Sequence, residues 1–208
     1  MNTNTINMSL ITINDAISYI EASDDPLSAD VGIVKTDGGV WLYDVGNDER
    51  ALSGLTGSYY VVLSHFHADH TGNIEKVRAE LLYVSKETFR HVRMGTVVSA
   101  DISVGDLHIF PLPSSHTKGC LGLEVGEAYA FVGDALYSRV RDGFYVYNAQ
   151  LLKEEIKVLS ALRSPYLLVS HFKGLIREKA EVLDELKAIY AMREKDFSEI
   201  RVPIGGDG

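Results

Sequence analysis

The sequence is short of cysteine, of basic residues and of long apolar runs. Its single cysteine, Cys120, cannot close an internal disulfide, which excludes a disulfide-built scaffold and fits a reducing compartment. Lysine and arginine together number 20 against 29 aspartates and glutamates, a formal net charge of −9. That balance argues against a nucleic-acid binder, which needs a basic face to neutralise phosphates. The longest apolar runs, such as Tyr59–Leu63, are far below the roughly 20 residues a membrane span needs. The opening stretch MNTNTINMSL has neither the basic start nor the apolar centre of a signal peptide. A cytoplasmic location without membrane contact is the expectation.

The rest of the composition is that of an ordinary globular chain: 208 residues, 46% hydrophobic and 24% charged. The expectation is a single domain over residues 1–208, with a core of about 9–193 and a frayed tail over Arg201–Gly208. No internal repeat, low-complexity tract or linker interrupts it. Short runs rich in Ile, Val, Tyr and Trp come first: Ser9–Asn14, Ala16–Glu21, Val31–Thr36 and Val40–Asp44. The Asp37-Gly38-Gly39 turn between the last two reads as a hairpin. Tyr59–Ser64 reads as a strand buried on both faces. Helices are expected over Gly72–Glu80 and Lys86–Met94 on either side of a strand at Leu81–Ser85. Strands follow at Asp106–Pro111, Leu121–Val125 and Tyr129–Val132. An amphipathic helix is expected over Gln150–Leu162, a strand at Tyr166–Ser170, and a last helix over Arg177–Arg193 with an apolar stripe from Ile176 and Ala180 to Leu183, Leu186 and Ile189. Strands first and helix–strand alternation later imply a mixed α and β class with layered sheets.

The chemistry is concentrated after the buried strand. Of seven histidines, three fall within His65-Phe66-His67-Ala68-Asp69-His70. In extended chain, residues two apart point the same way, so His65 and His67 can face one point, while Asp69 and His70 turn toward another. Imidazole and carboxylate suit zinc and similar borderline ions. Further donors stand at or just past apolar strands: His116 in Ser115-His116-Thr117, Asp134 in Gly133-Asp134, and His171 after Tyr166–Ser170. Taken singly, each of these three also reads as a turn or surface polar residue. His91 and His108 match no motif and are assigned to surface or core, and Cys120 to a small buried role.

His65-x-His67-x-Asp69-His70, then His116, Gly133-Asp134 and His171, resembles in order the metal-binding series of the metallo-β-lactamase superfamily. Asp44, in Leu42-Tyr43-Asp44-Val45-Gly46, resembles that family's early Asp motif. The resemblance spans most of the chain and implies an αββα four-layer sandwich, an α+β fold with two mixed β-sheets flanked by helices. It further implies a site for two divalent metals, zinc being expected and iron or manganese the alternatives. His65, His67 and His116 would bind one metal, Asp69, His70 and His171 the other, and Asp134 would bridge them. Asp44 would stand behind a ligand and orient it, or else is a strand-end turn residue. Two positions depart from the family pattern, Ser115 where glycine is usual and Asn73 where a second glycine is common.

Such a site implies hydrolysis, with a metal-bridging hydroxide attacking a small ester, thioester or lactone and Asp69 orienting it or passing a proton to the leaving group. A phosphodiesterase or phosphoester hydrolase, and an iron-dependent sulfur dioxygenase, are the alternatives. β-Lactamase activity is not expected, because those enzymes usually carry Cys or Ser at the position of Asp134. Asp134-x-x-Tyr137 resembles the N-acyl homoserine lactone lactonases, which implies that Tyr137 polarises the substrate carbonyl; its other reading is packing beneath the site. The segment Ser138–Asn148, with Arg139, Arg141, Tyr145 and Tyr147, reads as a substrate loop or a solvated one, and Lys173 as a contact for a substrate carboxylate. The expected partner is a small molecule.

Overall fold

A computed structural model describes residues 10–205. The chain divides into two compact units, Met1–Ser99 and Ala100–Gly208.

The first unit holds strands β1 (Leu10–Thr12), β2 (Ile17–Ile20), β3 (Ser23–Asp24), β4 (Leu27–Ser28), β5 (Val31–Thr36), β6 (Gly39–Tyr43), β7 (Tyr59–Val62), β8 (Ala79–Ser85) and β9 (Thr96–Val98), with helices α1 (Ala68–Thr71) and α2 (Lys86–Val92). Seven of the strands form one mixed sheet in the order β1-β2-β5-β6-β7-β8-β9. β5 and β6 are the expected hairpin, closing at Thr36↔Gly39. β6, β7, β8 and β9 then run parallel. Val61 and Val62 have no exposed surface, as a parallel strand covered on both faces requires. Val61 packs among Leu42, Val45, Leu63 and Val84. Burying each such side chain contributes about 1.5–3 kcal/mol.

The second unit holds β10 (Ile102–Val104), β11 (Leu107–Leu112), β12 (Cys120–Val125), β13 (Tyr129–Gly133), β14 (Arg139–Arg141), β15 (Phe144–Asn148), β16 (Tyr166–Val169), β17 (Ile176–Glu178) and β18 (Glu199–Pro203), with α3 (Ala149–Ala161) and α4 (Lys179–Ala191). Its main sheet runs β10-β11-β12-β13-β16-β17, antiparallel except for the parallel pair β13–β16. A smaller antiparallel sheet has the order β14-β15-β18. The Asn148 carboxamide caps α3 by accepting from the Gln150 and Leu151 amides at 3.1 and 3.0 Å. Leu152 and Leu159 of α3 pack with Val182, Leu183 and Leu186 of α4. Glu155 lies on the same stripe of α3 and is buried there.

Four local expectations differ. Gly72–Glu80 is not a helix: only a 3-10 turn at Ile74–Lys76 forms, and β8 begins at Ala79. Asn73 and Gly72 sit where the chain is held by side-chain and backbone bonds of the Asp44 loop, which leaves no room for regular helical pairing. The last helix begins at Lys179, because Ile176–Glu178 pairs with β16 as β17; Ile176 and Ala180 are exposed, so the stripe is Val182, Leu183 and Leu186. Ser138–Asn148 is the β14–β15 hairpin rather than a loop. Residues 201–203, expected to fray, pair with β15 as the end of β18, while 206–208 lie outside the described residues. Ser9 also lies outside them. No helix among the described residues is long and apolar enough to cross a membrane.

Candidate metal centre

In the first unit, parallel pairing sets the site. Tyr43 and Val62 are register partners at the C-terminal ends of β6 and β7, so Asp44 and the Ser64-His65 segment leave the sheet from one edge. Asp44 takes a left-handed conformation, φ 60°, uncommon for a residue with a side chain though less so for aspartate than for most. Its amide donates to the Val62 carbonyl at 2.9 Å, and the Val45 amide donates to the His70 carbonyl at 3.0 Å. The chain then turns at His67, whose carbonyl accepts from the amides of His70 and Thr71 at 3.1 Å each. The single turn of α1 brings His70 back onto His65, ring centroids 4.1 Å apart, while His67 lies 4.5 Å from His65. Asp69 Oδ2 is 3.5 Å from His70 Nε2. His65 and His70 are wholly buried, and His67 and Asp69 partly so.

Behind these rings lies a compact polar network. His70 Nδ1 is 2.7 Å from Asp44 Oδ2. A carboxylate only accepts, so Nδ1 carries the proton and Nε2 presents its lone pair for a cation. The Ser64 amide donates to Asp44 Oδ1 at 2.7 Å, and Ser64 Oγ stands 2.9 Å from His65 Nδ1 and 3.3 Å from His70 Nδ1. Ser64 thereby joins two histidines of the cluster. Asn73, buried, donates from Nδ2 to the Val45 carbonyl at 3.1 Å and the Asp48 carbonyl at 2.9 Å. Its departure from glycine therefore has a use: it fastens the loop that carries Asp44. A Cβ at Gly72 would stand 2.8 Å from the Ala68 carbonyl oxygen and meet the Asn47 side chain, so the neighbouring glycine fits where a larger residue would not. His91 stacks on Phe66, centroids 4.0 Å apart at 7°, and Phe66 meets the edge of His67 at 5.0 Å.

The second unit repeats the device. Gly133 and Val169 are register partners at the ends of parallel β13 and β16, so Asp134 and Ser170-His171 also leave one edge. The Ser170 amide donates to the Gly133 carbonyl at 3.2 Å. His171 is left-handed, φ 59°. Asp134 lies between two imidazoles: Oδ2 is 3.5 Å from His116 Nε2 and Oδ1 is 3.9 Å from His171 Nε2. Ser114 Oγ donates to the Ala135 carbonyl at 2.6 Å and accepts from the His116 amide at 3.0 Å, fixing the His116 loop to the Asp134 turn. Ser115, the other departure from glycine, accepts from the Asn148 amide at 2.9 Å. Tyr137 donates its hydroxyl hydrogen to the Ser170 carbonyl at 2.8 Å. Arg139 and Lys173 are exposed.

The structure thus holds two His/Asp clusters, one in each unit: His65, His67, Asp69 and His70, and then His116, Asp134 and His171. Five imidazoles and two carboxylates form a donor set suited to zinc-like divalent ions, so the residues fit such a group. Ser64 and Ser114 escaped sequence reasoning, and Ser115 figures there only as a departure from glycine. Each stands one or two residues before a histidine, and a serine beside a histidine carries no signal of its own. His108 belongs elsewhere, with Nε2 3.1 Å from Asp101 and Nδ1 3.4 Å from Glu124. It lines a cavity of about 560 Å³ that includes none of the seven donors. Burial pushes the Glu124 carboxyl up, but hydrogen bonds from Ser164, His108 and Arg163 outweigh it and hold the group low. Cys120 is buried, with Sγ 3.7 Å from the Thr117 carbonyl.

No protein-family model and no curated protein sequence matches the chain. Solved structures do. DIM-1 metallo-β-lactamase superposes with a TM-score of 0.65 at 13% identity, over 88% of this chain and 96% of its own. MIM-2 metallo-β-lactamase gives 0.65 at 19%, over 85% and 86%. The metallo-β-lactamase from Hirschia baltica gives 0.63 at 13%, over 88% and 97%. The fold is that of the metallo-β-lactamases, mixed sheets flanked by helices, in agreement with the class implied by the histidine and aspartate motifs.

Proposed function

We propose that this chain, with its metallo-β-lactamase fold, is a binuclear metal-dependent hydrolase of small esters, thioesters or lactones. The observation that carries the proposal is the pair of His/Asp clusters, each delivered from the C-terminal edge of parallel strands and each held by buried hydrogen bonds. In this reading His65, His67 and His116 hold one divalent cation, and Asp69, His70 and His171 a second, with the Asp134 carboxylate shared between them. Such a pair of cations, zinc in this proposal, supplies a water acidic enough to ionise near neutrality and a Lewis acid for the substrate oxygen.

The chain's own groups do the rest. Asp44 and Ser64 hold His70 and His65 in the tautomers and orientations a cation needs, so no reorganisation is required when substrate arrives. Asp69, 3.5 Å from His70 Nε2 and only partly exposed, accepts the proton released from water through its carboxylate and returns it to the leaving oxygen or sulfur. The acyl carbon gains the water oxygen and loses the leaving group, so the products are a carboxylic acid and an alcohol or thiol. Tyr137 acts through the Ser170 carbonyl, holding the turn that carries His171.

The test pairs two measurements on one preparation: bound-metal content, and hydrolysis of a panel of chromogenic esters, thioesters, lactones, phosphodiesters and a cephalosporin, each with and without chelator. Chelator-sensitive hydrolysis of an ester, thioester or lactone supports the reading. Turnover confined to phosphodiesters or the cephalosporin, or an activity indifferent to chelation, overturns it. Oxygen uptake with coloured, iron-bearing protein would assign the oxidative alternative instead.

A further inference from the structure

The β14–β15–β18 sheet carries a feature that neither its composition nor the proposed metal chemistry accounts for. Arg139 pairs with Val146, and Val146 pairs with Arg201. Direct cross-strand partners share a face, so the two arginines stand on one face with a valine between them. Their backbones are two strands apart, roughly 10 Å at the usual spacing, within which two guanidinium groups can close on one anion. Arg141, two residues along, faces the same way but is taken by Glu199 at 2.5 Å. Arg141 Nε also lies 3.9 Å from Asp142, and Arg201 Nε lies 4.0 Å from Glu199. Arg139 forms no ion pair among the described residues. The Arg201 guanidinium lies over the Phe144 ring, 5.6 Å from its centroid, which limits its freedom before any ligand is present. A surplus of fixed positive charge on one face stands out in a chain of net charge −9.

The hairpin that carries this row is tied to the loops of the second His/Asp cluster. The hairpin is fastened at both ends to residues that precede donor histidines. Asn148, at the end of β15, donates its amide to Ser115 Oγ beside His116. Tyr137, two residues before Arg139, donates its hydroxyl to the Ser170 carbonyl beside His171. Val146 stands two residues in from Asn148 along β15, about 7 Å at the rise of a strand, and Arg139 opens β14 two residues after Tyr137. Planar guanidinium forks match carboxylate and phosphate oxygens in bidentate geometry.

We propose that Arg139 and Arg201 form an oxyanion-binding subsite on the hairpin sheet, so that the preferred substrate is an ester or thioester whose acyl part ends in a carboxylate or a phosphate. The proposal rests on the hydrolase reading above and narrows its substrate class. Arg139 grips the anion directly, Arg201 closes on it from across Val146, and Glu199 keeps Arg141 out of the pair.

The test compares two esters of equal acyl length, 4-nitrophenyl pentanoate and the mono-4-nitrophenyl ester of glutaric acid, corrected for uncatalysed hydrolysis. The wild-type protein is expected to favour the glutarate ester in kcat/KM by about tenfold or more, chiefly through KM, with the preference falling as salt is added. Arg139→Ala and Arg201→Ala should each reduce that ratio several-fold. Arg139→Glu should reverse it, and Arg139→Lys should restore part of it. Lys187→Ala, on α4, should leave it as in the wild type. A ratio equal in wild type and variants, with chelator-sensitive hydrolysis intact, overturns the subsite and leaves the hydrolase reading standing. Should no ester, thioester or lactone be cleaved, the hydrolase reading fails, and calorimetric titration with glutarate and with phenyl phosphate decides the subsite alone. Binding weakened about tenfold in Arg139→Ala supports it, and the tighter of the two ligands names the anion. Equal binding by wild type and variant, or none by either, overturns it.

Discussion

Asp44 Oδ2 and His70 Nδ1 stand 2.7 Å apart, and neither side chain has any exposed surface. The pair determines which nitrogen of His70 faces outward, and it is held by a left-handed aspartate at the end of a parallel strand. Removing the carboxylate should therefore act on metal binding before it acts on chemistry. Asp44→Ala is expected to weaken binding of the second cation about 10- to 100-fold. Asp44→Asn, which keeps an acceptor oxygen, should recover part of that loss. Competition against a chromogenic chelator reads both, and unchanged affinity in the alanine variant would refute the role.

Asp134 stands between His116 and His171, each from a different loop. Asp134→Asn keeps the shape but loses the negative charge that two neighbouring cations require between them. Metal content per chain should drop below that of the wild type, with most activity lost. A fully active variant that retains two bound ions would show that the carboxylate is not shared.

Tyr137→Phe removes one hydrogen bond, to the Ser170 carbonyl, at a cost of about 0.5–1.5 kcal/mol in stability. If Tyr137 positions the His171 turn, kcat on lactones and esters should fall together with metal affinity, while KM stays near its original value. A loss of kcat on lactones alone, with metal binding unchanged, would instead make the tyrosine a donor to the substrate carbonyl.

Glu155 lies on the core-facing stripe of α3, and burial pushes its carboxyl well above the ordinary range. The folded chain therefore keeps a proton that the unfolded chain releases near pH 4.3. Between that pH and the raised value the folded state binds more protons, so stability falls as pH rises. Glu155→Leu should remove this slope. Its melting temperature relative to the wild type is expected to climb between pH 5 and pH 9, by several degrees at the upper end. A difference that stays constant with pH would refute the buried acid.

Much of the candidate site was legible in the chain itself, because its signals are local. A dense His-x-His-x-Asp-His run after a buried strand needs no long-range information to be read as a donor cluster. The same holds for Asp37-Gly38 as a hairpin turn and for Tyr59–Val62 as a covered strand, where side-chain type and spacing are enough. The Gly72–Glu80 helix failed for the opposite reason. Its residues have acceptable helix patterning, but Asn73 bonds to carbonyls of a loop more than 20 residues earlier, and tertiary bonds override local preference.

Sequence alone therefore determined which side chains can bind a cation and where along the chain they lie, since donor chemistry belongs to the residue. Only the tertiary structure decided which nitrogen of His70 is turned outward. It also decided that the hydroxyls of Ser114 and Ser115 fasten the His116 loop, and that Arg201, from a segment expected to fray, stands in one row with Arg139. Each of these depends on hydrogen bonds or strand pairing between residues 7 to 55 positions apart. A cross-strand register has no signature in the residues it joins until the strands are paired.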